Sequence, residues 1–101
     1  MSKKDGVLFL VLKEPWFSMI KSGIKKEEYR ERSEYWIKRL VDACGEKDFK
    51  EFDTLVFTLG YPKAYDMNRR LVFKNPRIRI DCGKTEWGAK PGKLYFVITW
   101  S

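Results

Sequence analysis

Residues 23–30 form the most chemically dense segment of this chain, reading Gly-Ile-Lys-Lys-Glu-Glu-Tyr-Arg directly after an aromatic stretch. The spacing Gly-x-Lys-x-x-Glu-x-Arg brings Lys25, Glu28 and Arg30 close together in sequence. A turn at Gly23 followed by an extended segment could direct these groups into one pocket. Cations suit phosphate or carbonyl oxygens, and a carboxylate accepts hydrogen bonds from an exocyclic amine of a base. The segment therefore predicts a nucleotide-sized binding site; the alternative is a salt-bridged network that orders the turn and binds nothing.

Histidine is absent from the whole sequence, which restricts the chemistry that any site can use. Without imidazole the chain has no usual general base near neutral pH, no Ser-His or Cys-His pair, and none of the commonest zinc ligand. Cys44 and Cys82 stand in no metal-like spacing, and we expect both to be reduced thiols. We expect neither a metal nor another cofactor, and catalysis would have to rest on Lys, Glu, Asp, Tyr, Ser, Thr or Cys.

The net charge of +7 is concentrated in the C-terminal part of the chain. Residues 1–60 contain 12 Lys and Arg against 11 Asp and Glu, whereas residues 61–101 contain nine against three. Such asymmetry favours a polyanion, nucleic acid or a nucleotide, as partner, although small domains often carry a few spare positive charges with no partner and these residues could form an ordinary solvated sheet face. The basic residues that could follow a phosphate backbone are Arg69, Arg70, Lys74, Arg77, Arg79 and Lys84.

Further candidate ligand-binding residues lie outside the central spacing. Lys26 is next to it, and Tyr61 and Lys63 lie in residues 60–69, which have turn residues and no clean period and so predict a long surface loop. Long loops often carry binding groups. Base stacking could come from Tyr29, Tyr61, Tyr65 and Trp87, and for Trp87 packing is about as favoured as stacking. Apolar patterns assign the other large aromatics to packing, namely Trp16, Trp36, Phe57, Phe73, Phe96 and Trp100.

The elements that position these residues follow from apolar patterning. Residues 7–12 are a continuous apolar run, which predicts a strand covered on both faces. A helix should open at Glu14 and Pro15 and end at Gly23. Residues 26–32, if extended, would direct Glu28 and Arg30 to the same side, but such a strand has no apolar face and breaks the packing rule.

The rest of the chain predicts a second helix and four further strands. Ser33 should cap a helix whose apolar stripe runs through Cys44 and ends at Gly45. Strands are expected at residues 54–59, 70–74, 77–81 and 94–100, with Ile78 and Ile80 facing inward. We expect one α+β domain over residues 1–101, with about five to six strands in a barrel-like sheet and two packed helices. No apolar run suits a signal peptide or a membrane span, so the expected location is cytoplasmic.

These features together resemble the ASCH domain family, one of the PUA-like β-barrels. The resemblance rests on the apolar first strand, the helix ending at Gly23, the positions Lys25, Glu28 and Arg30, and the C-terminal Tyr-Phe-Val-Ile strand. Later residues, Glu-Trp-Gly at 86–88 and Pro-Gly at 91–92, look like small stand-alone bacterial or phage members. The family implies a small, mostly antiparallel barrel with two helices and a cleft into which the side chains of the spacing project.

The resemblance leaves binding and catalysis open. Some members of the family hydrolyse the acetyl group of N4-acetylcytidine with a threonine nucleophile and lysine and glutamate partners, and others act on single-stranded RNA. Here Lys25 matches their lysine, but Glu28 occupies the threonine position, and a carboxylate flanked by two cations is a weak proton donor near neutrality. We therefore expect RNA or nucleotide binding rather than catalysis; if the protein is an enzyme, Lys25 and Glu28 are the residues to test.

Overall fold

The computed structural model describes residues 6–42 and 48–101 and contains six strands and two helices. The elements are β1 (Val7–Leu12), α1 (Trp16–Lys21), β2 (Glu28–Arg30), α2 (Glu34–Leu40), β3 (Thr54–Leu59), β4 (Arg70–Lys74), β5 (Arg77–Cys82) and β6 (Leu94–Thr99). Short 3₁₀ turns lie at Met67–Arg69 and Thr85–Trp87. The expected α+β class is confirmed.

The strands form two three-stranded sheets rather than one ring of strands. In the first sheet β3 lies between β1, which runs parallel to it, and the antiparallel β4. In the second sheet β6 lies between the antiparallel strands β2 and β5. The Ser101 N–H donates to the Lys74 carbonyl at 3.2 Å, which joins the two sheets near the β4 end. No closed barrel forms among the described strands.

The first strand is covered on one face only, so the prediction of two covered faces is wrong. Leu8, Leu10 and Leu12 are buried, whereas the alternate residues Val7 and Phe9 are exposed. A continuous apolar run is typical of a strand between two layers, but the described residues supply a layer on one side of this sheet only. An apolar face of β1 is therefore open to solvent.

Both helices are short, and the sequence identifies the end of α1 and the start of α2. The N–H of Gly23 donates to the Ile20 carbonyl, and its φ of +85° is the left-handed conformation that glycine adopts readily. The side chain of Ser33 accepts from the backbone N–H of Trp36 and caps α2. That helix ends at Leu40, before the predicted end; Cys44 and Gly45 lie outside the described residues.

The main core lies between the two sheets. It contains the buried side chains Leu8, Leu10, Leu12, Phe17, Ile20, Leu40, Phe52, Leu55, Phe57, Phe96 and Ile98. Phe73, Ile78 and Trp100 pack against it from the edges, as predicted. Ile80 pairs with the core residue Phe96 and so lies on the inner face as predicted, but it is 48% exposed because β5 is an edge strand with a paired neighbour on one side only. No helix in the described ranges is long and apolar enough to cross a membrane.

Candidate functional site

Glu28 and Lys25 form a buried ion pair at the start of β2. Lys25 Nζ lies 2.7 Å from Glu28 Oε1, and the two side chains are 0% and 7% exposed. Nζ also lies 5.5 Å from the ring centroids of Trp16 and Tyr29, at cation–π distance. Burial lowers the pKa of Lys25, and the charge of Glu28 opposes that shift. The ammonium is thus held between one carboxylate and two aromatic rings.

The register of β2 turns Glu28 and Arg30 toward the interior. Glu28 pairs with Ile98 and Arg30 with Phe96, and both partners are core residues of β6. Paired residues share a face of a sheet, so these two charged side chains point in the same direction as the core. The strand β2 can therefore be buried although two of its three residues are charged, because the opposite charges of Glu28 and Arg30 lie next to each other.

The second carboxylate oxygen of Glu28 is in ionic contact with Arg30 but is not hydrogen-bonded within the described part of the chain. Oε2 is buried and has no hydrogen-bond donor among the described residues. Arg30 Nη1 lies 3.6 Å from it, which is longer than an N–H···O hydrogen bond. Oε1, by contrast, accepts from Lys25 Nζ and from the Tyr29 backbone N–H. Because an unsatisfied buried polar atom costs about 1–3 kcal/mol, such an atom is expected at places where a further donor binds.

Arg30 connects the two sheets where they separate. Its Nη1 donates to the Tyr29 carbonyl in β2, and its Nη2 donates to the Val11 carbonyl in β1, each at 2.9 Å. The guanidinium also lies 5.4 Å from the centroid of the Trp36 ring. Two of its five donors are therefore used by the backbone, and Arg30 holds β1 and β2 at a fixed separation.

On the opposite face of β2, Tyr29 is fixed by two hydrogen bonds. Its hydroxyl donates to Glu27 Oε1 and accepts from the Lys84 backbone N–H, both at 2.9 Å. Burial raises the pKa of the Tyr29 hydroxyl well above its usual range. Its ring packs with Tyr95 and Val97, so this residue anchors β2 to the segment that follows β5.

A cavity of about 550 Å³ opens between β1 and β2 at the Arg30 bridge. Glu28 and Arg30 line its floor together with Val11 and Leu12, and half of all its lining residues are aromatic. A volume of this size, with aromatic walls and a few polar groups, is typical of a small-molecule or nucleotide site. The cavity occupies the gap between the unpaired edges of β1 and β2.

The structure brings some predicted site residues together and separates others. Glu28, Arg30, Tyr61 and Trp87 line the cavity between β1 and β2. Gly23, Lys25 and Lys26 line a different cavity, beside Trp100 at the end of α1. Lys63 is not among the described residues that line either cavity. Lys25 therefore holds Glu28 in position through their ion pair and presents no charge to the cavity between β1 and β2.

Sequence patterns missed several residues of the cavity wall. Trp16 was assigned to packing, but it is half-buried and lines the cavity together with Trp36 and Tyr35. Gly88, with φ of +99°, lies against Trp16, and a Cβ there would come within 2.9 Å of the ring. The helical spacing of Trp16 suits a core position as well as it suits a cavity wall. The Trp-Gly pair at residues 87–88 is the feature of the sequence that indicates a close aromatic contact.

The predicted basic residues do not form one surface. Arg79 pairs with Glu27 at 2.7 Å and with Asp81 at 3.2 Å, and Arg69 pairs with Asp66 at 3.2 Å. The remaining four differ in position. Arg70 and Lys74 share the outer side of β4, Arg77 lies on β5, and Lys84 lies 4.5 Å from the centroid of the Trp87 ring.

Comparisons with known proteins yield no relative. The chain matches no family model, no match is found among curated proteins, and none is found among solved structures. Within the described ranges, no group of three or more His, Cys, Asp or Glu residues could hold a metal ion. Any functional conclusion therefore depends on the geometry of the cavity.

Proposed function

We propose that this protein is an ASCH-type binding module that holds a nucleobase of RNA, or of a free nucleotide, in the cavity between β1 and β2. The observation that carries the proposal is Glu28 Oε2, a buried carboxylate oxygen without a donor beside an aromatic cavity. An exocyclic amino group of a base is a donor of suitable size and geometry for a carboxylate. Because Oε2 is closed to solvent, binding includes a small movement of the cavity wall, in which Arg30 is the adjacent charged group.

The pairing of Glu28 limits which base edge fits. Oε1 already accepts from Lys25 Nζ and from the Tyr29 N–H, so only Oε2 accepts from a ligand. A base that presents one amino group next to an acceptor suits this arrangement better than an edge with two adjacent donors, which would need both oxygens. Unused donors of Arg30 lie on the same wall and suit the neighbouring acceptor.

The aromatic walls supply the remaining contacts of a base. Trp16, Trp36, Tyr61 and Trp87 line the cavity, and Tyr61 is 92% exposed. Stacking of a base on such a side chain contributes about 1–3 kcal/mol in single-strand binders. A binding role is consistent with the expected cytoplasmic location, where RNA and nucleotides are plentiful.

Hydrolysis is the less favoured alternative. No Ser, Thr or Cys is among the described residues that line the cavity, so the aliphatic hydroxyl or thiol nucleophile of an acyl transfer has no candidate there. Lys25 Nζ is enclosed by Glu28 and two rings, away from the cavity space. Incubation with N4-acetylcytidine and with single-stranded RNA tests this alternative: turnover that is lost in Lys25→Met would establish it.

The binding proposal is tested by a pair of tyrosine variants in one loop. Tyr61 lines the cavity, whereas Tyr65 is also highly exposed, at 79%, and does not line it. Titration with the nucleoside 5′-monophosphates should show binding to the natural protein, weakened about five- to 100-fold by Tyr61→Ala and unchanged by Tyr65→Ala. Equal effects of the two variants, or no binding of any nucleotide or RNA, would refute the proposal.

Glu28→Gln tests the polar contact itself. The donors Lys25 Nζ and Tyr29 N–H retain the amide oxygen of the new side chain, so its NH₂ group takes the place of Oε2. An acceptor is thereby changed to a donor without change of shape. We expect binding of amino-bearing bases to fall by more than about tenfold, since a buried mismatch leaves polar groups unpaired. Lys25→Met with Glu28→Gln removes both charges and serves if the single variant does not fold.

A further inference from the structure

The outer face of the first sheet carries apolar residues that no described element covers. This outer face consists of Val7, Phe9, Val11, Thr54, Val56, Thr58, Arg70, Val72 and Lys74. The register aligns Phe9, Val56 and Val72 in one row across the three strands. Phe9 is 61% exposed and Val72 is 56% exposed. A contiguous exposed apolar patch with polar neighbours is typical of an interaction surface.

The outer face is continuous with the cavity. Phe9 and Val11 belong to both, because β1 forms the edge of the first sheet and one wall of the cavity. Tyr61 lines the cavity at the end of the sheet where Arg70 donates to the carbonyls of Pro62 and Lys63. A chain that leaves the cavity can therefore continue over Phe9 and cross the sheet, a distance of about 10 Å between the outer strands.

The charges on this face suit a polyanion. Arg70 and Lys74 occupy the same side of β4 as Val72, and Lys13 follows β1 at the cavity wall. The nine positions of the outer face include no carboxylate. A polyanion with flat apolar groups would satisfy both the cations and the aromatic row.

We propose that the outer face binds the nucleotides of single-stranded RNA that flank the base held in the cavity, with a base stacked on Phe9 and the backbone following Lys13, Arg70 and Lys74. This inference rests on the proposed function, since the cavity supplies the starting point of the path. The protein would thus bind a segment of RNA rather than a free nucleotide alone.

A second copy of the chain fits the outer face less well. Two copies packed face to face would bring Arg70 and Lys74 of each near those of the other, and no carboxylate of the outer face would neutralise them. Strand addition at the β1 edge is also hindered, because Arg30 Nη2 already donates to the Val11 carbonyl.

The test compares ligand lengths in the full protein. The probes are nucleoside 5′-monophosphates and a single-stranded RNA hexamer that contains all four bases. The variant is Val56→Thr with Val72→Thr, which keeps strand-forming side chains on the outer face and changes no residue that lines the cavity, and the control is Ile80→Thr, an exposed apolar residue of β5 that does not line the cavity either. We expect the double variant to weaken hexamer binding at least fivefold while binding of the monophosphates and the control stays at the natural level.

The outcomes separate this inference from the function on which it rests. If Glu28→Gln weakens binding but Val56→Thr with Val72→Thr does not change hexamer affinity, the outer face is not an RNA surface and the cavity proposal stands. If hexamer binding depends on Val56 and Val72 but not on Glu28, the cavity proposal fails and the outer face stands. A dimer in sedimentation of the natural protein that Val56→Thr with Val72→Thr dissociates would assign the face to a second copy and overturn the inference. No binding of any probe would overturn both.

Discussion

The buried charges of Lys25 and Glu28 are compatible with folding only as a pair. Each is more than nine-tenths buried, and an isolated ion in such a place loses its hydration without compensation. The pair is arranged so that Lys25 fixes one oxygen of Glu28 and leaves the other toward Arg30. The lysine thus positions the carboxylate that we propose as the ligand acceptor.

A double-mutant cycle should reveal this dependence. Glu28→Leu leaves an uncompensated ammonium and should lower the free energy of unfolding by about 3–5 kcal/mol, whereas adding Lys25→Met should recover much of the loss. The matched control is the exposed pair of Lys93 and Glu31, with side chains 37% and 57% exposed, where the same cycle should give at most about 1 kcal/mol. Urea denaturation of the variants measures both couplings, and similar values for the two pairs would contradict the interpretation.

Tyr29 predicts a loss of stability in alkaline solution. Its pKa is raised from the ordinary value of 10.0 because burial disfavours the phenolate, so the unfolded chain loses this proton first. The contribution is fully present below pH 10 and is lost as pH rises above it. Stability measured between pH 9 and about pH 11 should therefore fall less steeply in Tyr29→Phe than in the natural protein. Tyr61→Phe, at an exposed position, is the control and should keep the natural slope.

The sequence predicts those site residues whose role depends on neighbours along the chain. It does not predict those whose role depends on contacts made by the fold. The spacing of Glu28 and Arg30 identified two residues that meet in the cavity. It could not show that Lys25 is turned away from the cavity, because the turn at Gly23 and the rings of Trp16 and Tyr29 enclose its ammonium. Residue type alone does not distinguish a lysine that contacts a ligand from one that positions its neighbour.

At the scale of elements, strand limits followed from composition, but layers did not. Residues 7–12, 54–59 and 70–74 form strands where β-branched and aromatic runs predict them. The same apolar run in β1 suggested two covered faces, and a single sequence does not show whether a second layer exists. The alternation of exposed and buried residues in β1 arises because the described residues cover its sheet on one face only.

The brevity of β2 follows from the role of Arg30. Three residues pair with β6, and the guanidinium then bridges to β1 through the Val11 carbonyl instead of allowing the two strands to pair directly. A direct β1–β2 ladder would join the two sheets along this edge and remove the cavity. The gap between β1 and β2 and the proposed binding site are thus one feature. The gap can form because residues 26–32 contain too few apolar residues for a longer strand.

For the molecule as a whole, the net charge of +7 overstates the charge available to a polyanion. Arg79 and Arg69 are each paired with carboxylates. Within the described part of the chain, no carboxylate forms an ion pair with Lys13, Arg70 or Lys74, the cations beside the outer face. Ion pairs of this kind reduce the number of counterions that a bound nucleic acid can release. The spatial distribution of the charges, rather than their number in residues 61–101, should set the salt dependence of RNA binding.

Salt titration of the single-stranded hexamer should count the phosphate contacts. If Lys13, Arg70 and Lys74 each contact one phosphate, the logarithm of affinity should fall against the logarithm of salt concentration with a slope of about −2, or about −0.7 per contact. Lys74→Gln should make the slope shallower by about 0.7, whereas Arg79→Gln, at a cation already paired with Glu27, should leave it unchanged. Equal changes in both variants would show that RNA responds to total charge and not to the outer face.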